Sequence, residues 1–314
     1  MRRGYKERQA DAPSRPRVQS YRERIMSLPS IHPNWDLPPK GMTDGFSLEI
    51  TAKDIEALTE AAPAIPAETP VAVTFLPGES LEARIAAART VRALGFEPMP
   101  HFSARRLESG DDFETYLAAV VREAGVRRCF VIAGDPAEAA GPYADSMALI
   151  RTGAFERAGI RAIGIGGHPE GHPNMSTDQT FEVLTAKCGE IASRNMAPLI
   201  VTQFGFDAAP ILGWLAELRT RGIDAPVRIG VPGPAGIKTL MRFAARCGVG
   251  ASTSVLAKYG ISITRLIGTA GPDKLVDALA AGLGPQHGKV RLHFYPFGGL
   301  ARTVEWINDY TARH

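Results

Sequence analysis

A repeating alternation of short apolar runs with amphipathic stretches constrains this chain more than any other feature. Runs at Phe46–Ile50, Pro70–Phe75, Glu97–Ser103, Arg128–Gly134, Ala162–Gly166, Pro198–Gln203, Val227–Val231 and Val290–Tyr295 read as strands. Helical segments lie between them, near 53–62, 80–94, 110–124, 142–158, 176–195, 208–222, 236–247 and 253–282, with a last one over 300–312. The spacing is that of the βαβ unit. Several of the runs are apolar almost throughout, as strands buried on both faces of a parallel sheet must be. About eight units in roughly 270 residues are the arithmetic of an α/β fold of (β/α)8 TIM-barrel type, a single domain over 41–314. A doubly wound open sheet is the runner-up. It calls for a glycine fingerprint after the first strand, and Glu49-Ile-Thr-Ala-Lys53 is nothing like GxGxxG. Gly164–Gly171 also misses that spacing, and no Walker A sequence occurs.

Residues 1–40 break the rhythm. They are rich in Arg, Pro and Ser and thin in apolar residues, and read as a mobile or surface-draped N-terminal extension. The net charge of +3 is small, and much of the excess lies in the first 25 residues, so the body offers no basic face for nucleic acid. Cys129, Cys188 and Cys247 lack CxxC spacing, which argues against a disulfide framework or a cysteine zinc site and fits a reducing compartment. No apolar run is long enough to span a membrane, and the first residues lack the apolar core of a secretory signal. The expectation is a cytoplasmic protein; a homo-oligomer is left open.

In a barrel of this kind, reactive groups stand at the C-terminal ends of the strands. Those ends carry Glu49, Thr74, His101, Asp135, His168, Gln203 and Tyr295. Polar residues also end strands merely because loops begin there, but the whole ring, drawn from separate strands, favours a site. Asp135 is the sharpest member, because Phe130-Val-Ile-Ala-Gly-Asp135 is an apolar strand stopping on a glycine and an acid. Glu49 and Asp135 are candidate acid/base groups if their environments push their pKa values apart. A glycosidase could use such a pair, although no tryptophan stands at a strand end. In His168-Pro-Glu-Gly-His172-Pro the two imidazoles are four apart, but Pro169 and Gly171 forbid the helix that would align them as metal ligands, and no third ligand follows. Those histidines either cap a loop or donate to a phosphate or ring heteroatom of a cofactor. Lys187 either faces solvent or reaches a phosphate.

Taken in order, these residues resemble the catalytic barrel of the 5,10-methylenetetrahydrofolate reductase family over about residues 46–310. Ser47-Leu-Glu49, Val73-Thr74, Pro100-His101, Gly134-Asp135 and Pro142-Tyr143-Ala144 are each similar to a family motif, as are His168–Pro173, Leu184–Lys187, Thr202–Asp207 and His293-Phe-Tyr295. The resemblance implies reduction of 5,10-methylenetetrahydrofolate to 5-methyltetrahydrofolate, or the reverse oxidation, with FAD as cofactor and NADH or NADPH as electron donor. By position, Glu49 is then the general acid that opens the methylene bridge, with a pKa raised by an apolar site. Asp135 lies between flavin and pterin. Gln203 and Phe243 bind the folate. Thr74, His101, Gly134, Tyr143, Ala144, His168, His172 and Lys187 line the FAD. Hydride transfer needs flat rings stacked in a dry cleft, and these residue types suit that task.

The chain also departs from the family pattern. Ile50-Thr-Ala-Lys53 replaces paired aromatics and prolines, Ala133 stands where an arginine precedes Gly-Asp, and His168 replaces a tyrosine. The stretch from Lys187 to Gln203 is longer than usual, and Pro296-Phe-Gly-Gly-Leu300 lacks the arginine expected for the folate tail. These departures fall on flavin and folate-tail contacts more than on Glu49, Asp135 and Gln203. They keep a flavin-independent NADH-dependent reductase in view. A barrel hydrolase or lyase using Glu49 and Asp135, and a binding or assembly protein without turnover, are the readings from other classes. The chain ends soon after the barrel, so no regulatory domain and no S-adenosylmethionine feedback are expected.

Overall fold

The structure, a computed structural model, describes residues 38–247 and 269–314. The expected extension over 1–40 therefore lies almost wholly outside the described residues, as does the first part of the helical segment expected at 253–282.

Eight parallel strands close a barrel. In chain order they are β1 (Ser47–Ile50), β2 (Pro70–Val73), β3 (Glu97–Ser103), β4 (Arg128–Ile132), β5 (Ala162–Gly167), β6 (Ala197–Phe204), β7 (Val227–Pro232) and β8 (Val290–Tyr295). Each pairs with its sequence neighbours except at the seam, where β8 pairs with β1 in the register Ser47 to His293. The helices Ile55–Ala61, Leu81–Ala93, Gly110–Ala124, Thr177–Ser193, Ala208–Thr220, Ile237–Cys247, Asp273–Gly282 and Leu300–Arg313 pack outside. Their starts follow from local chemistry. Ser80, Ser109 and Ser176 accept from the backbone N–H three residues on, satisfying helix donors that would otherwise lack partners.

Two expectations are corrected. The helix expected over 142–158 is two short helices, Ser146–Arg151 and Ala154–Arg157, because Gly153 turns left-handed at φ +75° between them. The strand expected to run to Gly134 stops at Ile132, and Gly134 opens a turn at φ +94°. Before the helix Asp273–Gly282, Thr269–Ala270 pairs with Ala235–Gly236 as a small antiparallel ribbon.

Strand pleating sorts the side chains into two cores. Leu48, Ile50, Val71, Val73, Phe102, Val131, Ile200, Leu292 and Phe294 face outward into the large core shared with the helices. Ala72, Met99, Phe130, Ala162, Ala197, Leu199 and Val201 face inward and plug the barrel. Burying each large apolar side chain contributes about 1.5–3 kcal/mol, so the plug makes the barrel a packed core, closed to through-passage. Polar residues lie on the inward face beyond it, above and below. Toward the N-terminal end are Arg228 and Arg291, beside a cavity of about 440 Å³ that also meets Asp44, Glu68 and Tyr310. This is the end of a barrel that carries stability. Toward the C-terminal end stand the candidate site residues.

Candidate active site

The site is built by alternation along three strands. In β1, Ser47 and Glu49 share the inward face while Leu48 and Ile50 anchor outward. In β3, Met99 fills the plug, and His101 and Ser103 follow on the same face. In β8, His293 and Tyr295 point inward, while Leu292 and Phe294 anchor outward.

Glu49 is the centre. Its Oε2 lies 3.5 Å from His101 Nε2 and 3.6 Å from His293 Nε2. On the far side of His293, Nδ1 is hydrogen-bonded to Ser47 Oγ at 2.8 Å. His101 and His293 are buried, whereas the Glu49 side chain is 20% exposed, so the carboxylate opens toward the barrel mouth. Burial alone would raise the Glu49 pKa, but the His293 contact and the charges of His101 and His293 outweigh it and hold the carboxyl below its ordinary value. The expected raised pKa is thus corrected. It failed because the two imidazoles come from strands distant in sequence. Burial pushes His101 down to about 4, only partly opposed by Glu49 and aided by His293. At neutral pH the resting pair is an ionised Glu49 beside a neutral His101.

Above this centre, where the Nε2 atoms of His101 and His293 face the Glu49 carboxylate, lie two buried hydroxyls with no hydrogen-bond partner, Thr74 Oγ1 and Ser103 Oγ. Such atoms are costly unless something completes them. Gln203 stands half-buried where the register of β6 on β7 slips between Val201 and Phe204, an irregularity that re-aims a side chain at a rim. Thr202 fixes that stretch, because its Oγ1 accepts from Gly230 N–H at 2.8 Å and its carbonyl accepts from the Tyr295 hydroxyl at 3.0 Å. An aromatic wall continues from His293. Tyr295 meets His293 edge-on at 4.8 Å between ring centroids and stacks on Phe297 at 5.7 Å. Phe297 lies face to face with Phe243 at 4.1 Å and 13°.

A second cluster forms after β5. His168 and His172 meet edge to face at 4.7 Å, in a loop turned by Gly171 at φ +99°. His172 Nδ1 accepts from Asn174 N–H. Glu170, between them, accepts from Phe206 N–H at 3.3 Å and ties this loop to the one after Gln203. Burial holds His168 down at about 4, aided by the His172 and Lys187 charges. His172 and Lys187 are also lowered, chiefly by burial, with Asp145 partly opposing at Lys187. Three basic groups crowded together and pushed toward neutrality suit a site that receives an anion. Among the described residues no group of three His, Cys, Asp or Glu is arranged to hold a metal ion.

Asp135 stands apart from the buried centre. Its side chain is 79% exposed, and its Oδ2 lies 3.4 Å from Arg106 Nη2. Tyr143 packs edge-on against Phe113, and burial raises its pKa. Ala144 is exposed, and its carbonyl accepts from Arg105 Nε. The structure thus gathers Glu49, Thr74, His101 and Gln203 on the inward face, and clusters His168, His172 and Lys187 beside it. The loop bearing Gly134, Asp135, Tyr143 and Ala144 forms a third part. Sequence reasoning gave no role to Ser47, Ser103, His293 or Phe297. The period-two pattern in Ser47-Leu-Glu49 and His293-Phe-Tyr295 is the signal that could have found two of them.

The model of one protein family, Methylenetetrahydrofolate reductase, matches residues 46–280. The chain belongs to the methylenetetrahydrofolate reductase family. Methylenetetrahydrofolate reductase 1 of Schizosaccharomyces pombe is 30% identical over 119 residues, which are 35% of this chain and 18% of the yeast protein. Among solved structures, an uncharacterised protein from Clostridium thermocellum, described as binding two copies of 5-methyl-5,6,7,8-tetrahydrofolic acid, superposes with a TM-score of 0.60 at 10% identity, covering 90% of this chain and 98% of that one. Dihydropteroate synthase from Thermus thermophilus superposes with a TM-score of 0.51 at 12% identity, covering 88% and 95%. At these identities the superpositions show the fold, a (β/α)8 barrel, and the family membership rests on the family match. No helix among the described residues is long and apolar enough to cross a membrane.

Proposed function

We propose that this chain is a methylenetetrahydrofolate reductase-like oxidoreductase that moves a hydride from NADH or NADPH, by way of FAD, to 5,10-methylenetetrahydrofolate, or runs the reverse oxidation. The observation that carries the reading is Glu49 at the barrel mouth, set between His101 and His293 with Ser47 behind. Opening a methylene bridge needs a proton delivered in a site that excludes water, and this is the one described carboxylate held between two buried imidazoles.

The residues fit FAD. Thr74 and Ser103 offer buried, uncompleted hydroxyls to a flat polar ring, and the His101 ring lies beside them on the same inward face. Among the described residues, only His168 Nε2 comes within 4 Å of where a Cβ on Gly166 would stand. His168, His172 and Lys187 would take the phosphates, since an anion restores the charged forms that burial disfavours. When bound, FAD supplies the two-electron carrier between nicotinamide and folate.

The chain's own part is proton control and orientation. In the resting site Glu49 is ionised. A folate ring over the mouth would remove the remaining water from Glu49, and desolvation then raises its pKa toward the acid form. The Ser47 hydrogen bond at Nδ1 would orient His293 so that its Nε2 stays aimed at Glu49. Gln203 and the Phe243–Phe297 stack would orient the folate, the first by hydrogen bonds and the second by ring contact. Asp135, exposed on the rim, would approach the ligand from the loop side.

The test is the visible spectrum of the protein reconstituted with FAD, followed by anaerobic addition of NADH and then methylenetetrahydrofolate. A flavin band that bleaches and then recovers supports the whole reading. A colourless protein that still turns over NADH with folate assigns the flavin-independent variant. A protein that neither binds flavin nor turns over folate contradicts the reading.

A further inference from the structure

The loop after β4, residues 133–145, has neither helix nor strand, yet it carries Gly134, Asp135, Tyr143 and Ala144. One residue in the turn after β3 ties it down along its length. The Arg105 backbone N–H donates to the Ala133 carbonyl at 2.9 Å, and the Arg105 carbonyl accepts from the Ala140 N–H at 2.9 Å. Its side chain continues the pattern, with Nε donating to the Ala144 carbonyl at 2.8 Å and Nη1 donating to the Pro136 carbonyl at 3.0 Å. The next residue, Arg106, has a side chain only 19% exposed, and its Nη2 lies 3.4 Å from the exposed carboxylate of Asp135. The loop also closes on this turn at Gly141, where a Cβ would overlap the carbonyls of Leu107 and Glu108.

We propose that the tandem Arg105–Arg106 is a positioning device: Arg105 pre-shapes the loop that presents Gly134, Asp135, Tyr143 and Ala144 to the ligand, and Arg106 aims Asp135. The inference rests on the reading of the site given above. The physical reason is economy of ordering. A loop without its own ladder of hydrogen bonds loses conformational freedom when a ligand orders it, and that loss weakens binding. A planar guanidinium with donors in a fixed fork can join two carbonyls at opposite ends of the loop, and a lysine ammonium on a flexible stem cannot hold both. Sequence alone could not reveal it, because Arg105 reaches across 39 residues to Ala144. Neither arginine is assigned contact with the reacting atoms; both act through the loop.

Hydrogen exchange on the full chain without ligand tests the device directly, in the wild type, Arg105→Gln, Arg105→Lys, Arg106→Gln and Arg106→Lys, with calorimetric titration of FAD and of 5-methyltetrahydrofolate alongside. Losing charge-assisted bonds should speed exchange across 133–145 by about tenfold in both Arg105 variants while β6 stays protected, and should weaken ligand binding by a similar factor. Arg106→Gln should leave the exchange unchanged and weaken 5-methyltetrahydrofolate, and Arg106→Lys should restore that affinity. Unchanged exchange in Arg105→Gln, or full rescue of the loop by Arg105→Lys, would overturn the stapling role. Faster exchange with undiminished ligand affinity would overturn the positioning role. A wild type that binds neither ligand would sink the functional reading instead, and the exchange data would still decide whether Arg105 shapes the loop.

Discussion

Glu49 and His293 face each other 3.6 Å apart across the seam where the last strand of the barrel meets the first. The barrel must close for this pair to exist, so fold and chemistry are joined at one contact. His293 is oriented from behind by Ser47, which shares the Glu49 strand and face. Ser47→Ala should leave the fold intact and strip the imidazole of its partner. Leaving a buried polar atom unsatisfied costs about 1–3 kcal/mol, so folate turnover should fall by roughly tenfold or more with little change in KM, as steady-state kinetics would read.

His101 predicts a pH dependence of stability. Its folded pKa of about 4 lies below the ordinary 6.5. Between those values the unfolded chain binds a proton that the folded chain does not, so the contribution is complete above pH 6.5 and is lost as pH falls toward 4. Urea unfolding at stepped pH should show stability declining through that window, with at most about 1.4 kcal/mol per pH unit from this group. His101→Gln should reduce the slope to the share left by His168, which burial also holds at about 4, and an equally steep slope in that variant would contradict the assignment.

The aromatic wall predicts a split between binding and chemistry. Phe243 and Phe297 stack face to face at 4.1 Å, at the end of the wall that begins with His293 and Tyr295. Aromatic pairs of this kind contribute about 0.5–1.5 kcal/mol beyond area burial. Phe297→Leu should therefore weaken folate affinity several-fold in a calorimetric titration while leaving the rate at saturation nearly unchanged.

Lys187 predicts a cofactor effect separable from folate. Its pKa is lowered chiefly by burial, partly offset by the Asp145 carboxylate. Lys187→Met keeps the stem and removes the charge. FAD affinity should fall by more than about tenfold, a loss of about 1.5–3 kcal/mol for a charge-assisted bond, while 5-methyltetrahydrofolate affinity is unchanged. Fluorescence titration with each ligand separates the two.

Much of the barrel was legible because its strands are buried on both faces, and a run such as Pro198–Gln203 announces itself without any partner. The helices that start at Leu81, Gly110 and Thr177 were legible from their amphipathic pattern, and the serine before each, which caps its first turn, is a signal that fixes the start. The break at Gly153 was not, because an isolated glycine inside a helical pattern is often tolerated. Site residues at strand ends could be named from position, but their electrostatics could not. The Glu49 pKa lies below rather than above its ordinary value because its partners His101 and His293 are set by closure of the sheet, and the Ser47–His293 bond spans 246 residues of sequence. Asp135 could be placed on the rim, while its exposure and its Arg106 partner depend on a loop whose path is fixed by Arg105.

The central claim is that Glu49 gives its proton to a folate. The most direct measurement is the formation of 5-methyltetrahydrofolate from 5,10-methylenetetrahydrofolate and NADH or NADPH, with FAD present, by the wild type and by Glu49→Gln. The expected result is product from the wild type and a loss of about 10²–10⁴-fold in the variant, the range for removing a general acid, with thermal stability and FAD binding retained. Turnover by Glu49→Gln at the wild-type rate, or no product from a folded wild type under any of these conditions, would contradict it.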